Sequence, residues 1–324
     1  MRRRKRRLRL ALPVLLLLAA GAAGVWVAFG RSDGSHRLPV ATAGGPQLHG
    51  SEPVAAPTRP ETQTPPGLSL VGPNAFTVKL KGGKPRSALV FDMKTGRVLY
   101  KRNPGQRLPI ASLTKIMTAL LVVHDTRPNE KAKITHAALD YSGSGVGVLP
   151  KGKMVPVKGL LAGLLLPSGN DAAIALADHV AGTEKRFVRM MNARAHQLGL
   201  RCTHYVSSHG LQPANRSCAT DLAVLARLAM KEPRIASIVR HPQLAVKFPI
   251  KSGHLFVNTT NPLLHLRYPG TIGLKTGSSD PAGHCFVGVV RRGRRELAVV
   301  LLHSPDSGAQ AVQLLNAAFR AGRG

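Results

Sequence analysis

Two kinds of apolar pattern alternate along this chain of 324 residues. Short apolar runs, which predict strands, occur early and late in the chain, at 87–91, 97–100, 273–276, 285–290 and 297–302. Apolar residues at helical spacing predict helices at 111–124, 160–166, 171–180, 187–198, 220–230 and 309–319. This order predicts an α/β fold of the two-lobed α+β kind, in which an antiparallel sheet flanked by helices adjoins an all-helical lobe. A cleft between the two lobes follows from that arrangement.

The first 30 residues have a pattern of their own. A basic stretch, Arg2–Arg9, precedes residues 10–30, which carry no charge and, as a helix, would span roughly 30 Å. We interpret this part as a basic n-region followed by a signal-anchor or transmembrane segment. The alternative is a cleaved export signal, with Ala20–Ala22 as the small-residue cleavage site. The apolar run continues through Trp26 and Phe29, which favours a retained anchor.

Residues 31–73 are rich in Pro, Gly, Ser, Thr and Ala and show no sustained periodicity. Such a composition predicts a flexible linker that holds a folded domain away from a membrane. The patterned elements all follow it, so we expect the catalytic domain to comprise residues 74–324.

The chain is strongly basic, with a formal net charge of +31. The excess is not confined to the N-terminus, because residues 73–324 hold 36 Lys and Arg against 12 Asp and Glu. Such a charge favours salt-sensitive adsorption to polyanions. An exported protein meets anionic wall polymers and lipid headgroups, so we expect these partners and no nucleic acid. A solubilising charge excess without a specific partner is the alternative.

Three cysteines are present, and in an exported chain two of them can pair. Cys202 and Cys218 are the expected disulfide, since the segment between them reads as an irregular loop. Zinc is the competing interpretation, because His204 and His209 lie between these cysteines, but their spacing matches no standard zinc signature. We therefore expect no metal, and we expect Cys285, in an apolar run, to be a buried thiol.

Three short motifs carry the candidate chemistry: Ser112-Leu113-Thr114-Lys115, Ser168-Gly169-Asn170 and Lys275-Thr276-Gly277. Ser and Lys three positions apart project from the same face of a helix, so the amine can take the proton of the hydroxyl. A second Lys-Thr-Gly occurs at 94–96, where its glycine fits the turn of a strand hairpin. We interpret that copy as part of the hairpin turn and not as part of the candidate site. The ordered set predicts a serine acyl-transfer site.

Longer strings around these motifs resemble the serine-type D-alanyl-D-alanine carboxypeptidases, the low-molecular-mass penicillin-binding proteins of peptidase family S11. The resemblance covers residues 87–316 and is carried by the segments 109–118, 164–173 and 273–277. It implies a β-lactamase/transpeptidase-like fold and removal of the terminal D-Ala from peptidoglycan stem peptides, with β-lactams as covalent inhibitors. It also implies a location outside the bacterial cell membrane. The N-terminal segment would anchor the chain there, or the chain would be secreted to the cell wall if the signal is cleaved. No cofactor is implied.

The resemblance implies three catalytic residues. Ser112 would be the nucleophile and would form the acyl-enzyme. Lys115 would be its general base, which requires a pKa lowered by burial and by the nearby cation Lys275. Ser168 would relay a proton between Lys115 and the leaving amine.

The remaining motif residues would bind substrate. The amide of Asn170 would hold the backbone of the peptide, and Lys275 with Thr276 would face its terminal carboxylate. Gly277 would let the substrate strand approach the edge of the sheet closely. The backbone amides of Ser112 and Ser278 would form the oxyanion hole.

Other activities use the same residues. A class A β-lactamase is disfavoured, because Glu184 and Glu232, the only glutamates between the second and third motifs, lack the Glu-x-x-Leu-Asn context of that class. A DD-endopeptidase that cuts crosslinked peptidoglycan cannot be separated from a carboxypeptidase by sequence. A non-catalytic wall-binding or β-lactam-sensing protein is the third interpretation. One departure from the family concerns Ser207-Ser208, which stands before His209-Gly210-Leu211 in place of Asn-Pro and is expected to change a loop.

Overall fold

The computed structural model of the chain describes residue 70 and residues 72–321. Within these residues, no helix has both the length and the apolar character needed to cross a membrane. The predicted anchor, residues 1–30, and nearly all of the predicted linker, 31–73, lie outside the described residues.

A five-stranded antiparallel sheet forms the centre of the domain. The strands of the described residues are, in chain order, β1 (Ser87–Asp92), β2 (Val98–Arg102), β3 (Leu108–Pro109), β4 (Lys131–Lys133), β5 (Met154–Pro156), β6 (Arg216–Ser217), β7 (Gln243–Lys247), β8 (His254–Asn258), β9 (Thr271–Ser279), β10 (Gly283–Arg292) and β11 (Arg295–Ser304). The central sheet has the order β2-β1-β11-β10-β9, so β9 lies at one edge. Early and late strands therefore meet, with Val90 opposite Val299.

Helices fill the long segment between β2 and β9 and follow β11. They are α1 (Lys115–Asp125), α2 (His136–Leu139), α3 (Val157–Leu165), α4 (Asn170–Ala181), α5 (Glu184–Gln197), α6 (Ala219–Lys231), α7 (Pro233–Val239), α8 (Pro262–His265) and α9 (Ser307–Ala321). The first seven form a helical lobe beside the sheet, and α9 packs against the other face of the sheet. The predicted α+β arrangement is confirmed.

The sheet is buried on both faces, which explains why its central strands read as continuous apolar runs. Along β1, Leu89 and Phe91 pack into the core shared with the helical lobe. Ala88 and Val90 point the other way, into the core shared with α9. Successive side chains of a strand alternate between faces, so each strand contributes to two cores.

Helix α4 runs through the middle of the helical lobe and is built mainly from small residues. Ala172, Ala173, Ala175 and Ala177 are all fully buried, and α1, α3 and α5 pack around the helix. Small side chains let neighbouring helices approach closely, so α4 is held rigidly along its length. Its first residue is Asn170 of the second motif, which is thereby fixed relative to α1.

Two local predictions can be compared with the structure. The helix expected from residue 111 begins as an α-helix only at Lys115, because residues 111–114 form a 3₁₀ turn. The first Lys-Thr-Gly lies in the turn between β1 and β2, where Gly96 has a φ of 79° and Asp92 Oδ1 accepts from the amides of Lys94 and Thr95. This copy is a turn.

The β7–β8 hairpin was not among the predicted strands. Its inner residues pack on α3, with Leu255 and Val257 buried, and its outer face is open to solvent. The hairpin leads directly into residues 259–261, of which Thr260 contacts Leu166, two residues before the second motif, and Thr276 of the third motif.

Candidate active site

Ser112 lies in the 3₁₀ turn that precedes α1, and Lys115 is the first residue of that helix. The Lys115 Nζ atom is 3.0 Å from Ser112 Oγ. Ala111, immediately before the serine, has a φ of 45°, a left-handed conformation that is uncommon for a residue other than glycine. The surrounding packing therefore holds the turn that presents Ser112 in a strained conformation.

Two oxygen atoms fix the amine of Lys115 from the helical lobe. Its Nζ donates to Asn170 Oδ1 at 2.7 Å and to the main-chain oxygen of His209 at 2.8 Å. Lys115 is fully buried, and this burial, aided by the charge of Lys275, lowers its pKa well below the ordinary 10.5; Asp171 opposes the shift. The side chain is thus favoured as a neutral amine, the form that can accept a proton.

A neutral amine has two N–H groups and one lone pair. Both N–H groups of Lys115 are taken by the oxygens of Asn170 and His209, so the lone pair is left for the hydroxyl proton of Ser112. This geometry orients the base without any further group.

The loop that carries the His209 oxygen is tied down by the two serines that depart from the family pattern. Ser208 donates to Glu184 Oε1 from both its amide (2.8 Å) and its hydroxyl (2.6 Å), and Thr118 Oγ1 donates to the Ser208 oxygen. Ser207 Oγ accepts from the amide of Gly210. The departure therefore supplies side-chain contacts that position an acceptor of the Lys115 amine.

Two glycines allow the backbone around Ser112 to pack closely. Gly210 has a φ of 88°, and a Cβ there would collide with the main chain of Ala111. A Cβ on Gly277 would lie 2.7 Å from the Ile110 oxygen and 3.1 Å from the Ser112 amide. Gly277 is thus required by the 3₁₀ turn, and its predicted role toward a substrate strand stays a prediction.

The side chain of Asn170 contacts both Lys115 and a neighbouring loop, and its predicted role toward a substrate stays a prediction. Its Oδ1 accepts from Lys115, and its Nδ2 donates to the Ser142 oxygen at 2.6 Å. The Asp171 carboxylate, next in sequence, accepts from the amides of Val146 and Gly147. The start of α4 therefore clamps the loop 142–147 and orients Lys115, and only one N–H of the Asn170 amide is left for a peptide substrate.

Ser168 has a φ of 69° in the turn before α4. Its side chain is 8% exposed, and its Oγ has no hydrogen-bond partner among the described residues. A buried hydroxyl without a partner is costly in a folded protein. The orphan hydroxyl is compatible with the predicted proton relay, which no contact in the structure tests.

The third motif lies on the edge strand β9, across the cleft from α4. Lys275 is 1% exposed, and burial lowers its pKa to about 7. Its Nζ donates to the Thr276 oxygen. The Thr276 hydroxyl is hydrogen-bonded to that of Thr260, whose amide donates to the Leu166 oxygen. Ser278, the residue after Gly277 on the same strand, is exposed. The site thus joins the sheet to the helical lobe.

Comparison with known proteins decides the family. The family profile described as D-alanyl-D-alanine carboxypeptidase, peptidase S11, matches residues 75–306. The chain belongs to this family.

Other members of the carboxypeptidase family are similar over most of the described domain. D-alanyl-D-alanine carboxypeptidase DacF of Bacillus subtilis is 33% identical over 72% of this chain and 62% of its own length. A D-alanyl-D-alanine endopeptidase of Pseudomonas aeruginosa is 36% identical over 62% of this chain and 65% of its own. The chain thus spans less than two thirds of these two relatives. The crystal structure of the Streptomyces K15 DD-transpeptidase superposes with a TM-score of 0.69 at 33% identity, covering 75% of this chain and all of that one.

Two contacts in the candidate site of this S11 family member were not predicted from the sequence. The His209 oxygen is a main-chain atom, and no residue type marks a carbonyl that will accept from a buried lysine. Thr260 lies outside the three motifs, and its only sequence signal was a polar run directly after an alternating segment.

One pair of cysteines is bonded, and the third cysteine lies opposite Gly277 of the third motif in the sheet. Cys202 and Cys218 form a disulfide with Cα atoms 5.5 Å apart, and Cys285 is a buried free thiol. The sulfurs of the pair lie near the Asp221 carboxylate. Because these two sulfurs are bonded to each other, they are not thiolate ligands.

Proposed function

We propose that the chain is an exported serine D-alanyl-D-alanine carboxypeptidase that removes the terminal D-Ala from peptidoglycan stem peptides through an acyl-enzyme and is acylated by β-lactams. One observation carries the proposal. The buried amine of Lys115 lies 3.0 Å from Ser112 Oγ and is held by the oxygens of Asn170 and His209, so that in its neutral form its lone pair is left for the proton of Ser112. This is the arrangement of a nucleophile with its general base.

The reaction follows from the positions of these groups. Ser112 Oγ attacks the carbonyl of the penultimate D-Ala while its proton passes to Lys115 Nζ. The oxyanion is stabilised by the amides of Ser112 and Ser278, an interaction worth about 3 kcal/mol per donor. The departing D-Ala amine takes a proton from Lys115 through the Ser168 hydroxyl, and water then cleaves the ester.

Lys275 and Thr276 face the terminal carboxylate. Burial makes the charged form of Lys275 costly when the site is empty, and a carboxylate partner reverses that cost. A peptide with a free C-terminal carboxylate and a penicillin both supply such a partner. One site would therefore bind both.

A fluorescent penicillin tests the acyl-enzyme. We expect the full-length chain to be labelled covalently, and Ser112→Ala to lose the label. Ser278→Ala keeps the backbone amide and is the matched control, which we expect to remain labelled. Failure of the folded wild-type chain to label would contradict the acyl-enzyme.

Cleavage of crosslinked peptidoglycan is the second candidate, favoured by the similarity to the Pseudomonas endopeptidase. Mass analysis after incubation with a pentapeptide stem and with a crosslinked muropeptide separates the two activities. Free D-alanine indicates a carboxypeptidase, and uncrosslinked monomers indicate an endopeptidase. A non-catalytic wall-binding or β-lactam-sensing role would give neither product.

We further propose that residues 1–30 anchor the enzyme on the outer face of the bacterial cell membrane, or direct it to the cell wall if they are cleaved. The basic charge of the domain supports adsorption to anionic wall polymers. Fractionation of cells with an antibody to the domain, followed by mass determination of the mature N-terminus, decides between anchor and cleaved signal. Recovery of the intact protein from the cytoplasm would contradict export.

A further inference from the structure

The outer face of the β7–β8 hairpin carries an aromatic side chain that the protein leaves in solvent. Phe256 is 70% exposed, although aromatic residues make up only 4% of the chain. It faces Ala245 on the neighbouring strand, and the ring of His254 lies 6.3 Å from its own. The next pair along the hairpin is Gln243 and Asn258. An open aromatic ring thus lies between a ring nitrogen donor and two side-chain amides.

Beside this face runs a groove of about 360 Å³, within the range of small-ligand sites. Its walls come from the hairpin on one side and from residues 145–148 and Pro167 on the other. Val148 on the opposite wall is 48% exposed, so the groove has apolar surface on both sides.

One end of the groove lies near the candidate active site. This end is formed by Pro167, which precedes Ser168, and by Asn258 at the end of β8. Two residues further on, Thr260 is hydrogen-bonded to Thr276 of the third motif. The groove therefore ends a few residues from the position at which a substrate would contact Thr276.

The charge of the groove indicates which part of a substrate it fits. Its lining has no Lys, Arg, Asp or Glu, and His254 is its one titratable residue; Lys247 lies opposite His254 on the hairpin but does not line the groove. The lining itself therefore offers an anionic polymer or a lipid headgroup no Lys or Arg. A pyranose ring fits it, because its apolar face stacks on an aromatic ring and its hydroxyl and acetamido groups bond to side-chain amides.

Phe256 lies within reach of a ligand held at Thr276. From Thr260, which contacts Thr276, back to Phe256 is four residues, at most about 14 Å of extended chain. A stem peptide of several residues is long enough to cover that distance.

We propose that this groove binds a sugar ring of the glycan strand to which the stem peptide is attached, with the ring stacked on Phe256. The inference rests on the proposed peptidoglycan substrate and adds to it a subsite for the sugar. It makes the enzyme selective for stems on glycan over free peptides.

Kinetics with paired substrates test the proposal. The full-length chain and Phe256→Ala are given a disaccharide-pentapeptide and the same pentapeptide without sugar, and release of D-alanine is followed. We expect Phe256→Ala to lower kcat/KM for the disaccharide-pentapeptide about three- to tenfold, the scale of one aromatic contact, and to leave the free peptide unchanged. Leu266→Ala removes another exposed apolar side chain, 59% exposed, and we expect it to change neither substrate.

An equal loss on both substrates, or no loss on either, would overturn the proposal. Titration calorimetry with disaccharide-tetrapeptide and free tetrapeptide gives an answer that needs no turnover. Wild type should bind the sugar-bearing product more tightly, and Phe256→Ala should remove the difference. If wild type cleaves neither pentapeptide, the proposed function fails while the calorimetry still decides the sugar site. Self-association that Phe256→Ala abolishes, with no effect of the sugar, would assign the face to a protein contact and overturn the proposal.

Discussion

The proposed pairing of Lys275 with the substrate carboxylate is expected to depend on pH. Its side chain is 1% exposed, and burial lowers its pKa to about 7 in the free protein. Only the charged form pairs with a carboxylate, so about nine tenths of the free enzyme is competent at pH 6 and about one tenth at pH 8. We therefore expect kcat/KM for a carboxylate substrate to lose about tenfold in this interval through Lys275 alone.

A pair of substrates isolates this effect from the titration of Lys115. The two are a pentapeptide with a free terminal carboxylate and the same peptide with a terminal amide, and the measured quantity is the ratio of their kcat/KM values from pH 6 to pH 9. Lys115 acts on both substrates and cancels from the ratio. We expect the ratio to fall as the pH rises through 7. Lys275→Arg keeps its charge over this range and should give a flat ratio. A flat ratio in the wild type would refute the reasoning.

The same shift affects folding. The folded pKa of Lys275 lies below its ordinary 10.5, so the unfolded chain binds more protons between about pH 7 and 10.5. The free energy of unfolding contributed by this group therefore rises with pH across the window. Urea unfolding at several pH values should show a smaller rise in Lys275→Met than in wild type, and an identical pH dependence in both would contradict this.

Three further outcomes follow from the site and the disulfide. Asn170→Asp places a carboxylate against Lys115, which raises the pKa of the amine. The acidic limb of the plot of penicillin acylation rate against pH should therefore move to higher pH. An unmoved limb would argue against the contact. Gly277→Ala forces apart the edge strand and the 3₁₀ turn, and acylation should slow by about 100-fold, whereas a normal rate would show that the turn can shift freely. Replacing Cys202 and Cys218 by alanine opens the disulfide loop and should cost about 3 kcal/mol in urea unfolding; a loss below about 1 kcal/mol would show that the loop adds little.

The order of the three motifs in the sequence was enough to predict that the candidate residues belong to one site. Ser112 and Lys115 are close in the chain, and their spacing alone places them side by side. Asn170 joins Lys115 from 55 residues away, and this contact was predicted only as membership of one site. Its bond to the amine depends on how α4 packs against α1, which side-chain spacing does not encode.

The missed features have physical reasons. The helix boundary was wrong because Ala111 adopts a left-handed conformation that its residue type disfavours. The packing of Gly277 on the 3₁₀ turn was not predicted, because no sequence pattern shows which backbone will lie against a glycine. The β7–β8 hairpin has alternating inner residues, such as Leu255 and Val257, that a search for period-two patterns could have found.

The pairing of β1 with β11 ties the catalytic site to completion of the chain. Roughly 200 residues separate these strands, and closing such a loop costs on the order of 5 kcal/mol before any contact offsets it. The third motif lies on β9, which is held in the sheet through β10 and β11. Before β11 is synthesised, β9 can contact the 3₁₀ turn of Ser112 and helix α7 directly, but the strands that support β9 are not yet joined to β1. The complete sheet beneath the candidate site therefore forms only after the whole helical lobe has been synthesised.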